Sequence, residues 1–537
     1  MTSDRLPRIA WIVSLATMGL ACGTSDSDHN GASSSPDGGD ASFIATAPVN
    51  TDSCPVVVKA AACDQNQRPI LFVHGTYSSG QDIEHMAALL GSNGFCQDRI
   101  AAIDYDSVAV SAGFTGGGVD SPGVDCTGPN TPSGCGMIDR AIDALLKQFP
   151  QFTQVDLAGH SQGTFHCGNY LANHANKVAH YINFSGIPDV GDVQTLSLSS
   201  QRDLFGSPHH ATGTAICAFQ QTADGGTEAA LPVSSDGGVD EGGVAEAGTD
   251  GGACNVIQYT LVHQDHFAVA ASKDSFVQVY KYLTGKEPKY TDIQCGDDPV
   301  TVEGIAETFA DNTPSQGVLE IREVGGAPQE AGGPTMMAMD PTGHFGPLPL
   351  KRNTQYVFTG HDMMGKVLGW QYFTPFKRDN RLMRILSPAS SSDGSPVGGV
   401  VAVQSTGHAV SSASTVVVVA RWAQGGFRQD LGASLKVNGV EVLSSANSGL
   451  AAAMNSSLQG GVAALFLEDA NKNGKTDLGL PYDTTFIAFT DVFVDAKKPA
   501  FVDLTFTGGS EDPETLDVPM AIDNYPSSEG LVGATFQ

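Results

Sequence analysis

Two hydrophobic periods alternate between about residues 69 and 290, and a single one prevails afterwards. "PILFVHG", "RIAAIDYD", "QVDLAGHS", "AHYINFSG", "VQTLSLSS" and "NVIQYTLVH" are short apolar runs of strand length. Between them lie segments of helical spacing. In "DIEHMAALLGSNGF", Ile83, Met86, Ala87 and Leu90 share a face, and Gly91 and Gly94 stop the helix. In "MIDRAIDALLKQF", Ile138, Ile142, Leu145 and Leu146 form one side; "GTFHCGNYLANHA" and "SKDSFVQVYKYLTG" are further helices. Strands alternating with helices predict a mostly parallel sheet flanked by helices, an α/β fold class, over residues 51–295. After Gly296 the pattern turns to β-branched and alternating stretches such as "VTVEGIAETFA", "GVLEIREV", "STVVVVARWA" and "ASLKVNGVEVL". These predict an all-β region of sandwich or barrel type. Its length suits two β-rich units, 296–388 and 389–537, with a break near residues 387–398.

Other stretches lack either period. Residues 112–135 are rich in Gly, Ser and Pro and read as a loop. The insertion 221–253 is acidic and glycine-rich, with Asp-Gly-Gly at Asp224, Asp236 and Asp250, and reads as a solvated surface loop. At the N-terminus, Arg5 and Arg8 precede an apolar run, 9–21, that is too short to span a bilayer. Residues 1–22 are therefore a secretory signal, ending in Gly19-Leu20-Ala21-Cys22. That ending resembles a bacterial lipobox, in which the chain is cleaved before a cysteine that is then lipidated; ordinary signal cleavage is the alternative. Residues 23–50 are too polar to pack and suit a tether. The expected location is outside the bacterial cytoplasm, as a cell-envelope lipoprotein or an extracellular protein, with membrane contact only through the lipid anchor.

Export permits disulfides. Proximity along the chain suggests Cys54 with Cys63, Cys126 with Cys135, and Cys217 with Cys254. Setting Cys22 aside from the 10 cysteines leaves an odd number, and Cys167, on a predicted buried helix, is the expected free thiol. The net charge of -30 argues against a nucleic-acid partner, which demands clustered Lys and Arg. A neutral substrate is indifferent to that charge.

The strand-to-helix junction "LAGHSQGT" carries the main chemical signal. Ser161 sits in Gly-x-Ser-x-Gly, where glycines remove side chains that would clash around a sharp turn. A helix-capping serine is the bland alternative. A hydroxyl needs a base, and His266 in "LVHQDHFAVAASKD" follows the last strand of the α/β region. His263 is its rival but is expected still to belong to the strand; His160, His209 and His210 are less well placed. The imidazole needs a carboxylate, for which Asp203 is the candidate, with Asp189 and Asp192 as rivals. Two N–H donors for an oxyanion are expected from Gln162 and from Thr76, with Tyr77 as the alternative to Thr76. His74 reads as a structural part of that turn.

"PILFVHGTYSSG", "VDLAGHSQGT" and "VHQDHFAVAAS" followed by "VYKYLTGKEP" resemble the α/β-hydrolase superfamily, in its lipase and esterase branch. "VTVEG" and "YFTPFKRDNRLMRIL" extend the resemblance to microbial lipases with a β-rich, lipid-binding C-terminal region. The resemblance implies cleavage of carboxylic esters, acylglycerols among them, by a serine triad with no cofactor; Ser161 is then the nucleophile and His266 the base. Some relatives place the acid at the end of the strand that here reads "NFSG", where this chain has Ser185, so the acid must come from elsewhere. Residues 186–193 are too few for a cap, which leaves a lid to 112–135 or to the C-terminal region. A polyester depolymerase or amidase would use the same triad, and an adhesive surface protein with an idle hydrolase domain is a third reading. Near the C-terminus, Asp469, Asn471, Asn473 and Asp477 around Gly474 resemble a structural calcium loop, although Leu480 stands where an acidic ligand is usual; an Asn-Gly hairpin is the preferred reading.

Overall fold

Short apolar runs that are hydrophobic on both faces become the strands of a parallel sheet, because only a sheet covered on both sides buries them. The computed structural model describes residues 54–76, 78–107, 136–186, 193–203, 216–221, 227–229, 256–308, 312–325, 334–387, 417–427, 431–443, 462–466, 487–491, 501–508, 518–524 and 531–537. The signal segment with Cys22, the 23–50 tether and the 112–135 loop lie outside them. So does the 221–253 insertion, except Gln221 and residues 227–229.

The strands of the first region are β1 (Ile70–Val73), β2 (Ile100–Ile103), β3 (Val155–His160), β4 (Val178–Phe184), β5 (Gln194–Ser200), β6 (Ile216–Gln221), β7 (Thr227–Ala229) and β8 (Val256–Leu261). They lie in the order β2-β1-β3-β4-β5-β8-β6-β7, all parallel except the edge strand β7. The helices are α1 (Glu84–Ser92), α2 (Met137–Gln148), α3 (Gln162–His174), α4 (Ala268–Ala271) and α5 (Lys273–Thr284). Strand β6 departs from the sequence reading, which had no strand there, and β7 is a strand inside the stretch expected to be loop. Both pair at the sheet's far edge, where neighbours rather than local pattern decide the conformation.

Alternation along β1 divides the core. Ile70 and Phe72 pack with Met86, Leu89 and Leu90 of α1 and with Phe276 and Val279 of α5. Leu71 and Val73 pack on the opposite face with Ile138, Ile142 and Leu145 of α2 and with Tyr170 and Leu171 of α3. Burying each such side chain contributes about 1.5–3 kcal/mol, so β1 is firmly anchored on both faces.

The all-β part forms three sheets among the described residues. Its strands are β9 (Val300–Thr308), β10 (Val318–Glu323), β11 (Thr335–Ala338), β12 (His344–Leu350), β13 (Tyr356–His361), β14 (Val367–Phe373), β15 (Asn380–Ser387), β16 (Val417–Trp422), β17 (Ser434–Val437), β18 (Val440–Glu441), β19 (Val462–Phe466), β20 (Ile487–Asp491), β21 (Phe501–Thr507), β22 (Val518–Asp523) and β23 (Leu531–Phe536). One sheet runs β11-β10-β13-β14-β23-β16-β19-β20 and so crosses the expected break. The last strand, β23, is its hinge piece, parallel to β14 on one side and to β16 on the other. Adjacent residues point to opposite faces. Phe358 joins the core with the three-stranded sheet β12-β9-β15, whereas Val357 joins the core with the four-stranded sheet β18-β17-β21-β22. The shared sheet is the middle layer of three, so the two stretches bury each other.

The disulfides also correct the sequence reading. Cys54 bonds Cys295, and Cys63 bonds Cys96. Val57 pairs with Cys295 as an isolated bridge, which brings the N-terminal segment to the start of the β region. Spatial proximity here comes from tertiary pairing and not from chain distance. Cys167 is buried and takes no part in a disulfide. Cys126, Cys135 and Cys254 lie outside the described residues.

Candidate active site

In a parallel sheet every strand ends at the same edge, so the loops that follow β1, β3, β5 and β8 meet there. Residues 74–78 follow β1, Ser161 follows β3, Asp203 follows β5 and His266 follows β8. These residues are distant in sequence and gathered by topology.

Ser161 occupies φ 51°, ψ -119°, between β3 and α3. That backbone is sparsely populated for a residue with a side chain and costs about 1–3 kcal/mol. Its neighbours hold it. The Ser161 N–H donates to Phe184 O at 3.0 Å, and the Thr164 N–H and Oγ1 donate to Ser161 O at 3.0 and 2.6 Å. The flanking glycines are required by contact. A Cβ on Gly163 would stand 2.2 Å from Val73 O, and one on Gly159 would stand 2.9 Å from the Thr164 backbone. The tight strand-to-helix turn therefore fits against β1 only without those side chains. Ser161 carries no capping hydrogen bond, so it is not the helix-cap serine of the alternative reading.

His266 and Asp203 meet. The His266 Nδ1 lies 3.0 and 3.1 Å from the two carboxylate oxygens of Asp203. Both side chains are almost wholly buried. A carboxylate only accepts, so Nδ1 carries the proton, and Nε2 is left as the basic nitrogen when the ring is neutral. His160 braces this loop: its Nε2 donates to His266 O at 2.8 Å, and the two rings lie 4.8 Å apart. Burial, and then the neighbouring His266, push the His160 imidazole down to about 3, so it stays neutral. His160 is thus a support for the loop and not a rival base. Strand β8 ends at Leu261, so His263 lies beyond the strand, contrary to expectation.

The turn after β1 is tied to the serine's helix. Thr76 Oγ1 donates to Gln162 Oε1 at 2.8 Å. Gln162 is the first residue of α3, where helix geometry points the amide N–H out of the helix end. A Cβ on Gly75 would stand 2.9 Å from Ser161 Cβ, so the turn passes directly over the serine. His74 is structural, as the sequence suggests. Its Nδ1 donates to Gly75 O at 2.7 Å, its Nε2 accepts from Tyr105 N–H at 3.2 Å, and its ring stacks on Tyr105 at 4.2 Å. Burial holds its imidazole below the usual histidine range.

Tyr77, Asp189, Asp192, His209 and His210 lie outside the described residues, as do Asp469, Asn471, Asn473 and Asp477. Two contacts from the β region were not legible in sequence. Asp265, next to His266, accepts the N–H groups of Phe267 and Ala268 through Oδ1 at 2.9 Å, and that of Gly426 through Oδ2 at 2.8 Å. Asn312 reaches the turn after β1. Their ties to Gly426 and to the turn after β1 join residues far apart in the chain, which local pattern does not encode.

The arrangement holds the His266 imidazole against a buried carboxylate, on a loop bonded to His160, the residue that precedes Ser161 and its strained turn. The family model described as the lipase C-terminal domain matches residues 298–390, the stretch from β9 through β15. No curated protein matches the chain. The family match supports a lipase-like protein that carries a lipase C-terminal domain, behind a parallel sheet with its helices.

Proposed function

We propose that this protein is a serine hydrolase of the α/β-hydrolase type that cleaves carboxylic esters, acylglycerols among them, through an acyl-enzyme. The observation that carries the reading is the His266–Asp203 pair at 3.0 Å, on a loop bonded to His160, which precedes Ser161 on its positive-φ turn. In this reading His266 Nε2 takes the Ser161 proton as Oγ attacks the ester carbonyl. The buried Asp203 carboxylate fixes the ring and stabilises the imidazolium. The N–H groups of Thr76 and Gln162 receive the developing oxyanion. His266 then gives its proton to the leaving alcohol, and water repeats the sequence to release the acid. A lipase C-terminal domain at 298–390 favours lipid esters over amides as substrates. Two disulfides support export to an oxidising compartment.

The test is hydrolysis of p-nitrophenyl esters from butyrate to palmitate by the wild type and by Ser161→Ala. Activity that disappears in Ser161→Ala is expected, and the chain-length profile separates lipase from esterase. Activity that survives in Ser161→Ala overturns the reading.

A further inference from the structure

We propose that Asn312 of the β-rich region is a positioning residue for the ester-cleaving site, holding the turn that carries the Thr76 oxyanion donor. The inference rests on the hydrolase reading and extends it, because it makes the β region part of the reaction machinery as well as a substrate-handling domain.

Asn312 is buried and sits at φ 52°, a conformation asparagine tolerates better than most residues. Its backbone N–H donates to Thr308 O at 3.1 Å, which ties it to the end of β9. Its Nδ2 lies 2.8 Å from Ser78 O, 3.0 Å from Tyr105 O and 3.2 Å from His74 Nε2. Two of these are carbonyls. The third is the single Nε2 lone pair, left as an acceptor because His74 Nδ1 donates to Gly75 O; it is shared with the Tyr105 N–H, so the two amide hydrogens serve chiefly the two carbonyls. All three neighbours accept, which fixes the orientation of the amide. One NH2 group thus ties the end of the segment 74–78, at Ser78 O, to the strand-end loop at Tyr105 O, and rests against His74 Nε2.

The same segment is gripped at its middle from the other side, where Thr76 Oγ1 donates to Gln162 Oε1. Tyr105 holds the start of the segment, its N–H donating to His74 Nε2 at 3.2 Å and its Oη to His74 O at 2.7 Å. Asn312 adds the tie at the far end, to Ser78 O, from more than two hundred residues away. Neighbouring ties follow the same line. Arg384 of β15 holds Asp104 at 3.0 and 2.6 Å, and Asp104 accepts the Gly80 N–H at 2.6 Å. Arg421 of β16 donates to Asp82 at 3.0 Å. The β region therefore clamps residues 78–82, just beyond the oxyanion turn. A donor that drifts by a fraction of an ångström binds the ground-state ester almost as before but stabilises the tetrahedral state less.

The experiment uses the full chain. Wild type, Asn312→Ala and Asn312→Ser are titrated with an alkyl p-nitrophenyl phosphonate. One p-nitrophenolate leaves as the Ser161 Oγ–phosphorus bond forms, so the release counts competent sites. Steady-state hydrolysis of p-nitrophenyl butyrate is then expressed per titrated site. For the positioning role, kcat per site falls about tenfold or more and KM stays within about twofold. The affinity for a trifluoromethyl ketone, which forms a tetrahedral adduct, falls by the same factor as kcat/KM. Asn312→Ser keeps one hydroxyl donor and is expected to lie between the two; it also serves if Asn312→Ala does not fold. A merely structural role lowers the count of titrated sites and leaves kcat per site unchanged, which overturns the proposal. A wild type without ester hydrolysis, or activity that survives Ser161→Ala, overturns the hydrolase reading itself, and this inference with it.

Discussion

Replacing Asp203 by asparagine probes the part of the site that geometry specifies most tightly. The carboxylate is fully buried and spans the His266 Nδ1 with oxygens at 3.0 and 3.1 Å. Asparagine is nearly isosteric, so packing is kept, but its NH2 can donate to Nδ1. That hydrogen bond stabilises the other tautomer, with the proton on Nε2, the nitrogen that must accept the serine proton. The imidazolium formed during attack also loses its buried counter-charge. In serine proteases the equivalent change costs about 10⁴ in kcat, which corresponds to roughly 5.5 kcal/mol in the barrier. We expect a loss of that order in kcat for p-nitrophenyl butyrate, with a small change in KM and an unchanged folded fraction by circular dichroism. A single-turnover burst should slow in the same proportion, because the lost interaction acts in acylation. Turnover of Asp203→Asn within about tenfold of wild type would refute the reasoning. Loss of activity in Asp189→Asn or Asp192→Asn, with Asp203→Asn active, would then move the acid to that loop.

Gly163→Ala should prevent the turn from closing, because the new Cβ would stand 2.2 Å from Val73 O and 2.5 Å from His74 O, both backbone. A cost of about 3 kcal/mol or more in urea unfolding is expected, together with loss of esterase activity. Arg384→Met should leave Asp104 and Glu307 as buried acids without their guanidinium partner, at 2.6 and 3.6 Å in the native protein. Breaking such a pair costs about 3–5 kcal/mol, and an unchanged urea midpoint would contradict it. Glu84 is buried, and desolvation pushes its carboxyl up to about 7 against 4.5 for the unfolded chain. The folded state therefore holds the proton more tightly, and its stability falls as pH rises from 4.5 through 7. Glu84→Gln should match wild type at pH 4 and exceed it above pH 7 by on the order of 3 kcal/mol; an advantage independent of pH would contradict it.

The sequence by itself determined the elements that rest on local pattern. Alternating apolar runs and amphipathic helices specify a parallel sheet, since a strand such as β1, apolar on both faces, is satisfied only between two layers of helices. Gly159, Ser161 and Gly163 were readable because the constraint on them is local: a sharp turn with no room for side chains. His266 and Asp203 were readable as candidates by type and order along the chain, and Cys167 as the cysteine outside the disulfides by its place on a buried helix face. Tertiary structure decided what depends on distant partners. Strand β23 enters between β14 and β16, a pairing across more than a hundred residues that no local pattern encodes. For the same reason Cys54 bonds Cys295 and not its near neighbour Cys63. The supports of the site, His160 under the His266 loop, Asp265 bonded to Gly426 and Asn312 over the turn after β1, are ordinary polar residues in sequence. Their roles arise only because burial obliges each polar group to find a partner, and the fold determines which partners are within reach.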